Sequence, residues 1–347
     1  MKKVIGNVIK WISAALVALL ILSVISFVYY TLPMRDDNPN HNTDYVYESN
    51  SIWLRMTEGI SFGKVDANGF NNAKAIQSPD ILVLGSSHMM AFEVNQDQNM
   101  AYCLGRDFSD KYTVYNMGMS AHPFEKVCHY LPDTLGIESM HPKYVVIETA
   151  GTTITHENAA YITAKEKSNN GSVKNNALIR TVQRIPFVRL IYYQLNNGFL
   201  DRFKTEKGHP SDAKASDDTA AAADSAAGSP SDYSEVFHYL NELQKEYGTK
   251  IIIVYHPTET FYPDGTVTFE TTGDIGLFSK AAAQNDVSFI DLTESFDAMY
   301  RESRQVPHGF ITGKIGAGHL NRYGHQAMAD EVYRYITEYE EANHAND

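Results

Sequence analysis

Ser87 and His319 lie far apart in the chain and have the side-chain types that a nucleophile and its base require. Ser87 belongs to Gly85-Ser-Ser-His88, directly after a short apolar run, and His319 belongs to Gly318-His-Leu-Asn, directly before a long C-terminal helix pattern. A serine hydroxyl is a weak nucleophile until a base takes its proton, and an imidazole that titrates near neutrality suits that task. Each motif alone is also typical of a helix cap or an incidental loop histidine. Together they predict acyl transfer if the fold brings the two side chains into contact.

Two glycine-containing turns follow the next two apolar runs. They are Asn116-Met-Gly118 and Glu148-Thr-Ala-Gly151-Thr-Thr153. Glycine allows a backbone to approach a reacting centre closely, although it serves equally in an ordinary strand-to-helix turn. If these runs are strands that flank the first one, both turns open onto the crevice that holds Ser87.

Five apolar, β-branched runs alternate with segments of helical spacing. The runs cover residues 81–84, 112–115, 144–147, 250–255 and 287–290, and the helix patterns cover 98–108, 122–131, 233–247, 273–284 and 322–341. Runs that are apolar throughout are typical of strands covered on both faces, which indicates a parallel sheet between two helix layers. We therefore expect an α/β fold, a three-layer α/β/α sandwich with a five-stranded parallel sheet in the order 2-1-3-4-5.

The link between the third and fourth strands is far longer than an ordinary crossover, so we expect an insertion over about 155–232. Its segment 176–204 combines apolar residues at helical spacing with Arg180, Arg184 and Arg189. That pattern fits a simple cap helix, or a basic face that touches lipid or a partner protein. Residues 206–232 are rich in Ala, Ser and Asp and contain almost no large apolar residue, which predicts a disordered tether.

An uncharged apolar stretch precedes the domain. No charged residue occurs between Trp11 and Met34, which is long enough for a helix across the ~30 Å hydrocarbon layer. Lysines precede it, and aspartates follow Arg35, so residues 1–10 are expected in the cytoplasm, 11–33 in the membrane, and the remainder outside, in the cell-membrane-anchored, extracytoplasmic arrangement. A cleaved signal peptide is the alternative, but small residues suited to cleavage are missing before Pro33. Residues 34–75 are interpreted as a stalk and lead-in, and 76–347 as the α/β domain.

The composition excludes several classes of protein. With 43% hydrophobic residues the chain is a folded globular protein, and a formal net charge of −13 argues against nucleic acid as the partner. No Cys-x-x-Cys or His-Glu-x-x-His is present, so no metal site and no cofactor are predicted. A metal-dependent hydrolase that uses His88, His256 and His319 is a minor alternative. Cys103 and Cys128 fall on apolar helix faces, which leaves buried thiols or a disulfide open.

The order of these motifs, with His319-Leu-Asn-Arg-Tyr-Gly324 before the final helix, resembles the SGNH/GDSL hydrolase superfamily and its membrane-anchored, extracytoplasmic bacterial branch. The resemblance spans about residues 78 to 340 without the insertion. It implies a flavodoxin-like fold, Ser87 as nucleophile, His319 as base, and the N–H groups of Ser87 and Gly118 as oxyanion donors. It further implies carbohydrate O-acylation beside a multispanning membrane acyltransferase.

Two positions depart from the pattern of that family. Ala317 and Gly316 stand where an aspartate usually precedes the histidine, and Gly151-Thr-Thr-Ile154 replaces Gly-x-Asn-Asp. Thr152 or Thr153 would then serve as the third oxyanion donor, and a backbone carbonyl or Glu148 would orient the base. We expect an extracytoplasmic, serine-dependent O-acyl esterase or O-acyltransferase that acts on acylated cell-envelope polysaccharide through an acyl-enzyme, with an acylated glycan or a small acyl ester as its ligand. The alternative is a catalytically degenerate module that binds glycan or positions a membrane partner.

Overall fold

The computed structural model describes residues 2–34, 46–109, 111–133, 135–164, 184–196, 228–271 and 273–345. The helices are α1 (Lys2–Tyr29), α2 (Ser87–Met90), α3 (Met100–Asp107), α4 (Phe124–Tyr130), α5 (Ile137–Met140), α6 (His156–Thr163), α7 (Pro186–Asn196), α8 (Pro230–Tyr247), α9 (Ile275–Gln284), α10 (Thr293–Ser303) and α11 (Arg322–His344). The strands are β1 (Tyr30–Thr31), β2 (Ile52–Arg55), β3 (Ser61–Lys64), β4 (Ile81–Leu84), β5 (Val114–Asn116), β6 (Tyr144–Thr149), β7 (Lys250–Tyr255), β8 (Thr258–Phe261), β9 (Val267–Glu270), β10 (Ser288–Asp291), β11 (His308–Gly309) and β12 (Ile315–Leu320).

Five parallel strands form the central sheet in the order β5-β4-β6-β7-β10. In β4, Leu82 pairs with Tyr115 of β5 on one side and with Val145 of β6 on the other. This is the 2-1-3-4-5 order, so the predicted parallel sheet is confirmed. All four side chains of β4 are buried, as expected for a central strand with helices on both faces. The strand β5 begins two residues later than the sequence pattern suggested.

Two separate apolar clusters cover the two faces of the sheet. Helices α4, α6, α8 and α9 contribute to one cluster, and α3, α10 and α11 contribute to the other. Cys128 belongs to the first cluster and Cys103 to the second, and both are free and buried. Of the two alternatives for the cysteines, the structure therefore shows buried thiols, because the sheet lies between them.

A second, antiparallel sheet in the order β1-β2-β3 corrects the interpretation of 34–75 as a stalk and lead-in. Trp53 of β2 is buried and stacks on Phe92, with ring centroids 4.6 Å apart. Val65 and Met90 complete this third apolar cluster. Burial of these side chains ties β2 and β3 to the loop after α2, so this part of the lead-in belongs to the folded domain.

The insertion is described only in part. Residues 206–227 of the predicted tether lie outside the described residues, and α8 begins at Pro230, so the end of that segment is helical. The capping box of Ser229 and Asp232 explains where the helix starts. Helix α7, from the segment with the basic helical pattern, packs against α1 and β1.

Helix α1 is long and apolar enough to cross a membrane or to act as a signal anchor, with Val4–Tyr29 as the candidate span. Its side chains are mostly exposed, whereas Ser26 and Tyr30 at its end are buried. The helix therefore contacts the folded domain only near its C-terminal end.

Candidate active site

Ser87 lies where β4 gives way to α2, at the carboxyl end of the central sheet. Ser86 is the N-cap of α2, and its hydroxyl accepts a hydrogen bond from the N–H of His88 at 3.3 Å. Glycine is required at position 85 because a Cβ there would collide with the Glu148 carboxylate and with Met89. This turn places Ser87 as the first residue of the helix, where its backbone N–H lacks an intrahelical partner.

His319 lies near the end of β12 and meets Ser87. The distance between His319 Nε2 and Ser87 Oγ is 3.0 Å, although 232 residues separate the two in the chain. The histidine is in a strand instead of the expected loop, because β12 pairs with β11 just before α11 begins. The contact is within the range in which an imidazole can take a hydroxyl proton.

Glu58 holds the other side of the His319 ring. Its Oε2 is 2.9 Å from His319 Nδ1, and its Oε1 accepts a hydrogen bond of 2.8 Å from the His319 backbone N–H. A Cβ at Gly318 would collide with this carboxylate, so glycine is needed for the approach. Ser87, His319 and Glu58 therefore form a hydrogen-bonded line in which the three residues have the side-chain types of a nucleophile, a base and an orienting acid, in that order.

The expectation that Glu148 orients the base is wrong. Glu148 stands at the end of β6, where its Oε2 accepts hydrogen bonds from the backbone N–H and the hydroxyl of Ser86, at 2.8 and 3.0 Å. Its Oε1 is 2.9 Å from His256 Nε2. The pairing of the strands explains this position. Because β6 lies beside β4, the end of β6 faces the turn that carries Ser86 and Ser87, and it does not face β12. Glu148 fixes the turn that precedes the nucleophile.

Glu58 was missed because it comes from the turn between β2 and β3. The only hints in the sequence are the short apolar run Ile52-Trp-Leu54 and the nearby Gly59, which suit a strand followed by a hairpin turn. The positions where the related family carries an aspartate hold Gly316 and Ala317, and a side chain at 316 would collide with the ring of Phe261. The orienting carboxylate therefore reaches His319 from a distant segment.

Buried charges around the site change the pKa values of His319 and Glu58. Arg55 makes an ion pair with Glu93, and its Nη2 is 4.0 Å from Glu58 Oε2, while Glu93 Oε1 is 3.7 Å from His319 Nδ1. Burial disfavours the charged form of His319, but the carboxylates of Glu93 and Glu58 outweigh it and raise its pKa to about 9. Burial would raise the pKa of Glu58, but its hydrogen bond and charge attraction to His319 lower that pKa to about 2.

The proposed oxyanion donors occupy different surroundings. The Gly118 N–H donates to Asn116 Oδ1 at 2.8 Å, which differs from the free donor that we expected. Asn116 Nδ2 in turn donates to the Met89 carbonyl at 2.7 Å, and Gly118 has no room for a side chain against the Met89–Met90 peptide. This turn therefore clamps α2 in place.

Thr152 and Thr153 lie after β6, against Gly273 in the loop before α9. Thr152 is buried and Thr153 is exposed. A Cβ at Gly273 would collide with the Thr153 hydroxyl. The backbone N–H of Ser87, at the start of α2, is thus the best placed of the four predicted donors.

Two groups of side chains have the composition of a metal site: His88, His256 and His308 form one, and Glu58, Glu93 and His319 form the other. The minor alternative combined His88 and His256 with His319, whereas the structure groups the first two with His308. His256 Nε2 faces Glu148, His308 Nδ1 lies 2.6 Å from Glu259 Oε2, and the two inner ring nitrogens are 3.1 Å apart.

No family model matches this chain, and no curated protein matches it. Solved structures with a similar arrangement include the acetyl xylan esterase AlAXEase, which has 12% identity and a TM-score of 0.39 over 74% of this chain and 99% of that one. TesA has 14% identity and a TM-score of 0.37 over 73% and 96% of the two chains. The psychrotrophic esterase EstA from Pseudoalteromonas sp. has 11% identity and a TM-score of 0.38 over 75% and 98%. At these values, function has to be argued from the geometry of the site.

Proposed function

We propose that this chain is a serine-dependent ester hydrolase or O-acyltransferase that works through an acyl-enzyme. The observation that carries the proposal is the line from Ser87 Oγ to His319 Nε2, at 3.0 Å, and from His319 Nδ1 to Glu58 Oε2, at 2.9 Å. A nucleophile, a base and an orienting carboxylate in contact at the carboxyl edge of a parallel sheet suit acyl transfer.

In the first half-reaction, Ser87 Oγ attacks the acyl carbonyl and His319 Nε2 takes the hydroxyl proton. Glu58 stabilises the resulting imidazolium, and the Ser87 N–H stabilises the negative charge on the carbonyl oxygen. Collapse of the tetrahedral adduct breaks the ester bond, and the alkoxide leaves with the proton from His319. In the second half-reaction, water or a sugar hydroxyl gives its proton to His319 and attacks the acyl carbonyl. Collapse of the second adduct breaks the bond between the acyl carbon and Ser87 Oγ, His319 returns the proton to Ser87, and the free acid or the acylated sugar leaves.

The sequence resemblance supports the finer part of the proposal. We infer that α1 anchors the chain in the cell membrane with the domain outside, and that the acyl group belongs to a cell-envelope polysaccharide. A multispanning membrane acyltransferase is the proposed partner. The lysines at positions 2, 3 and 10, before the uncharged apolar stretch, and the aspartates at 36 and 37 after it support this orientation.

The degenerate binding module loses one of the two observations that motivated it. That alternative rested on the missing aspartate before His319 and on the basic face of the cap segment, and Glu58 now contacts the ring nitrogen that the aspartate would have contacted. An intact hydrogen-bonded line favours an enzyme over a silent module.

A serine-reactive fluorophosphonate applied to the full-length protein in detergent tests the proposal. Labelling and turnover of a small acetyl ester should both be lost in Ser87→Ala and His319→Ala, whereas Ser303→Ala, which changes an exposed serine of α10, should retain both. Equal labelling of wild type and Ser87→Ala would contradict the assignment of the nucleophile. Mass analysis of an added oligosaccharide acceptor then separates transfer from hydrolysis.

A further inference from the structure

The register of the β1-β2-β3 sheet places one end of that sheet at the end of α1. Strand β1 follows α1 without an intervening residue, and Tyr30, its first residue, pairs with Arg55. Because β1 and β2 are antiparallel, β2 runs back toward the helix and ends there. Strand β3 leaves from the same end, since Ser61 also pairs with Arg55. The turn 56–60 therefore lies on the side of the domain from which α1 emerges.

That turn carries Glu58, so the candidate active site is close to the same end. Arg55 is one strand spacing, about 4.8 Å, from Tyr30. From Arg55 the contacts continue to Glu58 at 4.0 Å, to His319 at 2.9 Å and to Ser87 at 3.0 Å. Three side-chain contacts thus connect the nucleophile to the strand that faces the end of α1.

Exposed apolar side chains surround the site on this side. We call them the apolar rim: Ile60 is 64% exposed, Phe62 66%, Phe261 48%, Ile311 93% and Ile315 54%. The Gly59 N–H donates to Thr312 Oγ1 at 2.9 Å, which joins the turn 56–60 to the loop that carries Ile311. Single exposed apolar residues are ordinary, but a connected group beside a site indicates a contact surface.

The charge of these segments suits an anionic surface. Segments 59–65 and 309–316 contain the exposed residues Lys64 and Lys314 and no acidic residue, in a chain whose formal net charge is −13, whereas the turn after Phe261 carries the exposed Asp264. Apolar side chains flanked by lysines are typical of groups that enter the headgroup layer of a membrane.

Helix α7 adds a second contact at the end of the anchor. Arg189 donates to the carbonyl oxygens of Leu32 and Pro33, just after β1, and the Pro33 contact is 3.1 Å. Ile185, before the helix, and Ile191 within it are 45% and 42% exposed. Apolar side chains thus extend to both sides of the point where α1 leaves the domain.

We propose that the apolar rim rests on the membrane surface at the C-terminal end of α1, so that Ser87 opens toward the headgroup layer and acts on esters presented there. The occupant of the rim is the anionic lipid surface. The part that concerns the substrate rests on the proposed function, whereas the docking itself requires only that α1 is retained as an anchor.

Site-specific fluorescence in lipid nanodiscs tests the docking. The full-length chain carries an NBD probe on Ile311→Cys or Phe62→Cys, with Glu302→Cys of α10 as the exposed control, because Cys103 and Cys128 are buried. Discs of phosphatidylcholine and phosphatidylglycerol contain a lipid with a spin label at headgroup depth. Interfacial groups sit ~5–10 Å into the headgroup region, so quenching of about twofold or more is expected at 311 and 62 and little at 302.

The outcomes separate the alternatives. Weaker quenching in discs of phosphatidylcholine alone supports the role of the lysines. Solvent-like probes at both 311 and 62 overturn the proposal. Fluorophosphonate labelling of Ser87 in the same samples reports the proposed function separately. Quenching without labelling keeps the docking and rejects the esterase, and labelling without quenching does the reverse.

Discussion

Replacement of Glu58 by glutamine tests the hydrogen-bonded line most directly. The pKa of His319 is raised from 6.5 to about 9, and the pKa of Glu58 is lowered from 4.5 to about 2. Since one pKa unit corresponds to 1.36 kcal/mol, each change amounts to about 3 kcal/mol. The attraction between the Glu58 carboxylate and the imidazolium enters both values, so they are not added, and Glu93 also contributes to the raised pKa of His319. Glutamine keeps an oxygen that can accept from Nδ1 and removes the charge.

Two consequences of Glu58→Gln oppose each other at neutral pH. The base works in its neutral form, so a pKa near 9 means that activity is present above pH 9 and falls about tenfold for each pH unit below it. Loss of the Glu58 charge lowers the pKa of His319 and makes more neutral base available at pH 7. It also removes the Glu58 share of about 3 kcal/mol from the imidazolium formed in the transition state, which is at most about 10²-fold in rate at alkaline pH.

The assay is therefore a pH profile of kcat/KM for a small acetyl ester, not a single rate. We expect Glu58→Gln to lower the alkaline plateau by up to about 10²-fold and to move the midpoint of the profile below pH 9, with a much smaller change at neutral pH. Glu302→Gln, an exposed carboxylate of α10, should leave the profile unchanged. An unchanged midpoint in Glu58→Gln, even with a reduced plateau, would refute the electrostatic role assigned to Glu58.

Three further predictions concern the turn at Gly118, the carboxylate of Glu340 and the two cysteines. Gly118→Ala should lower ester turnover at least about tenfold and also lower the melting temperature, because its Cβ would collide with the Met89 backbone that carries α2. Glu340→Gln should lower the free energy of unfolding by about 1–2 kcal/mol in urea titrations, because the carboxylate accepts hydrogen bonds from two lysines and two tyrosines. Its pKa is lowered in the fold despite the opposing effect of burial, so this loss should begin to shrink as the pH falls below the ordinary glutamate value of 4.5 and should vanish only when the pH reaches the lowered pKa; a pH-independent loss would contradict the assignment. Cys103 and Cys128 should react with a maleimide only after denaturation, which mass spectrometry shows as two added labels. Without the reagent, the mass of the intact protein should match two free thiols and not a disulfide.

Local patterns determined the central architecture. Apolar β-branched runs can be buried on both faces only in a sheet between helices, and the alternation of runs and helix patterns leads to parallel strands. Those two facts bring the carboxyl ends of β4, β5 and β6 to one edge, so Ser87 and the turns at Gly118 and Gly151 could be placed there from the sequence. The contact of His319 with Ser87 was expected from the same topology and from the family resemblance, and the structure brings the two within 3.0 Å.

The hydrogen-bonding partners of these residues depended on tertiary structure alone. Glu58 meets His319 across 261 residues, from a segment whose four-residue strands are too short for a clear periodic signal. Glu148, although adjacent in the sheet to the nucleophile turn, is held by Ser86 and His256, which only the register of β6 decides. The N–H of Gly118 is likewise taken by Asn116, two residues away, because the turn folds back on α2.

The difference has a simple physical reason. Burial and periodicity act between near neighbours in the chain, so the residue types along a segment determine whether it becomes a strand or a helix and which side is covered. The orientation of a carboxylate within a site depends instead on a distance of about 3 Å between segments that are distant in sequence, and hydrogen bonds lose most of their strength beyond that range. The sequence therefore determined where the nucleophile and its base lie, and the packing of β2 and β3 onto the domain decided which acid serves them.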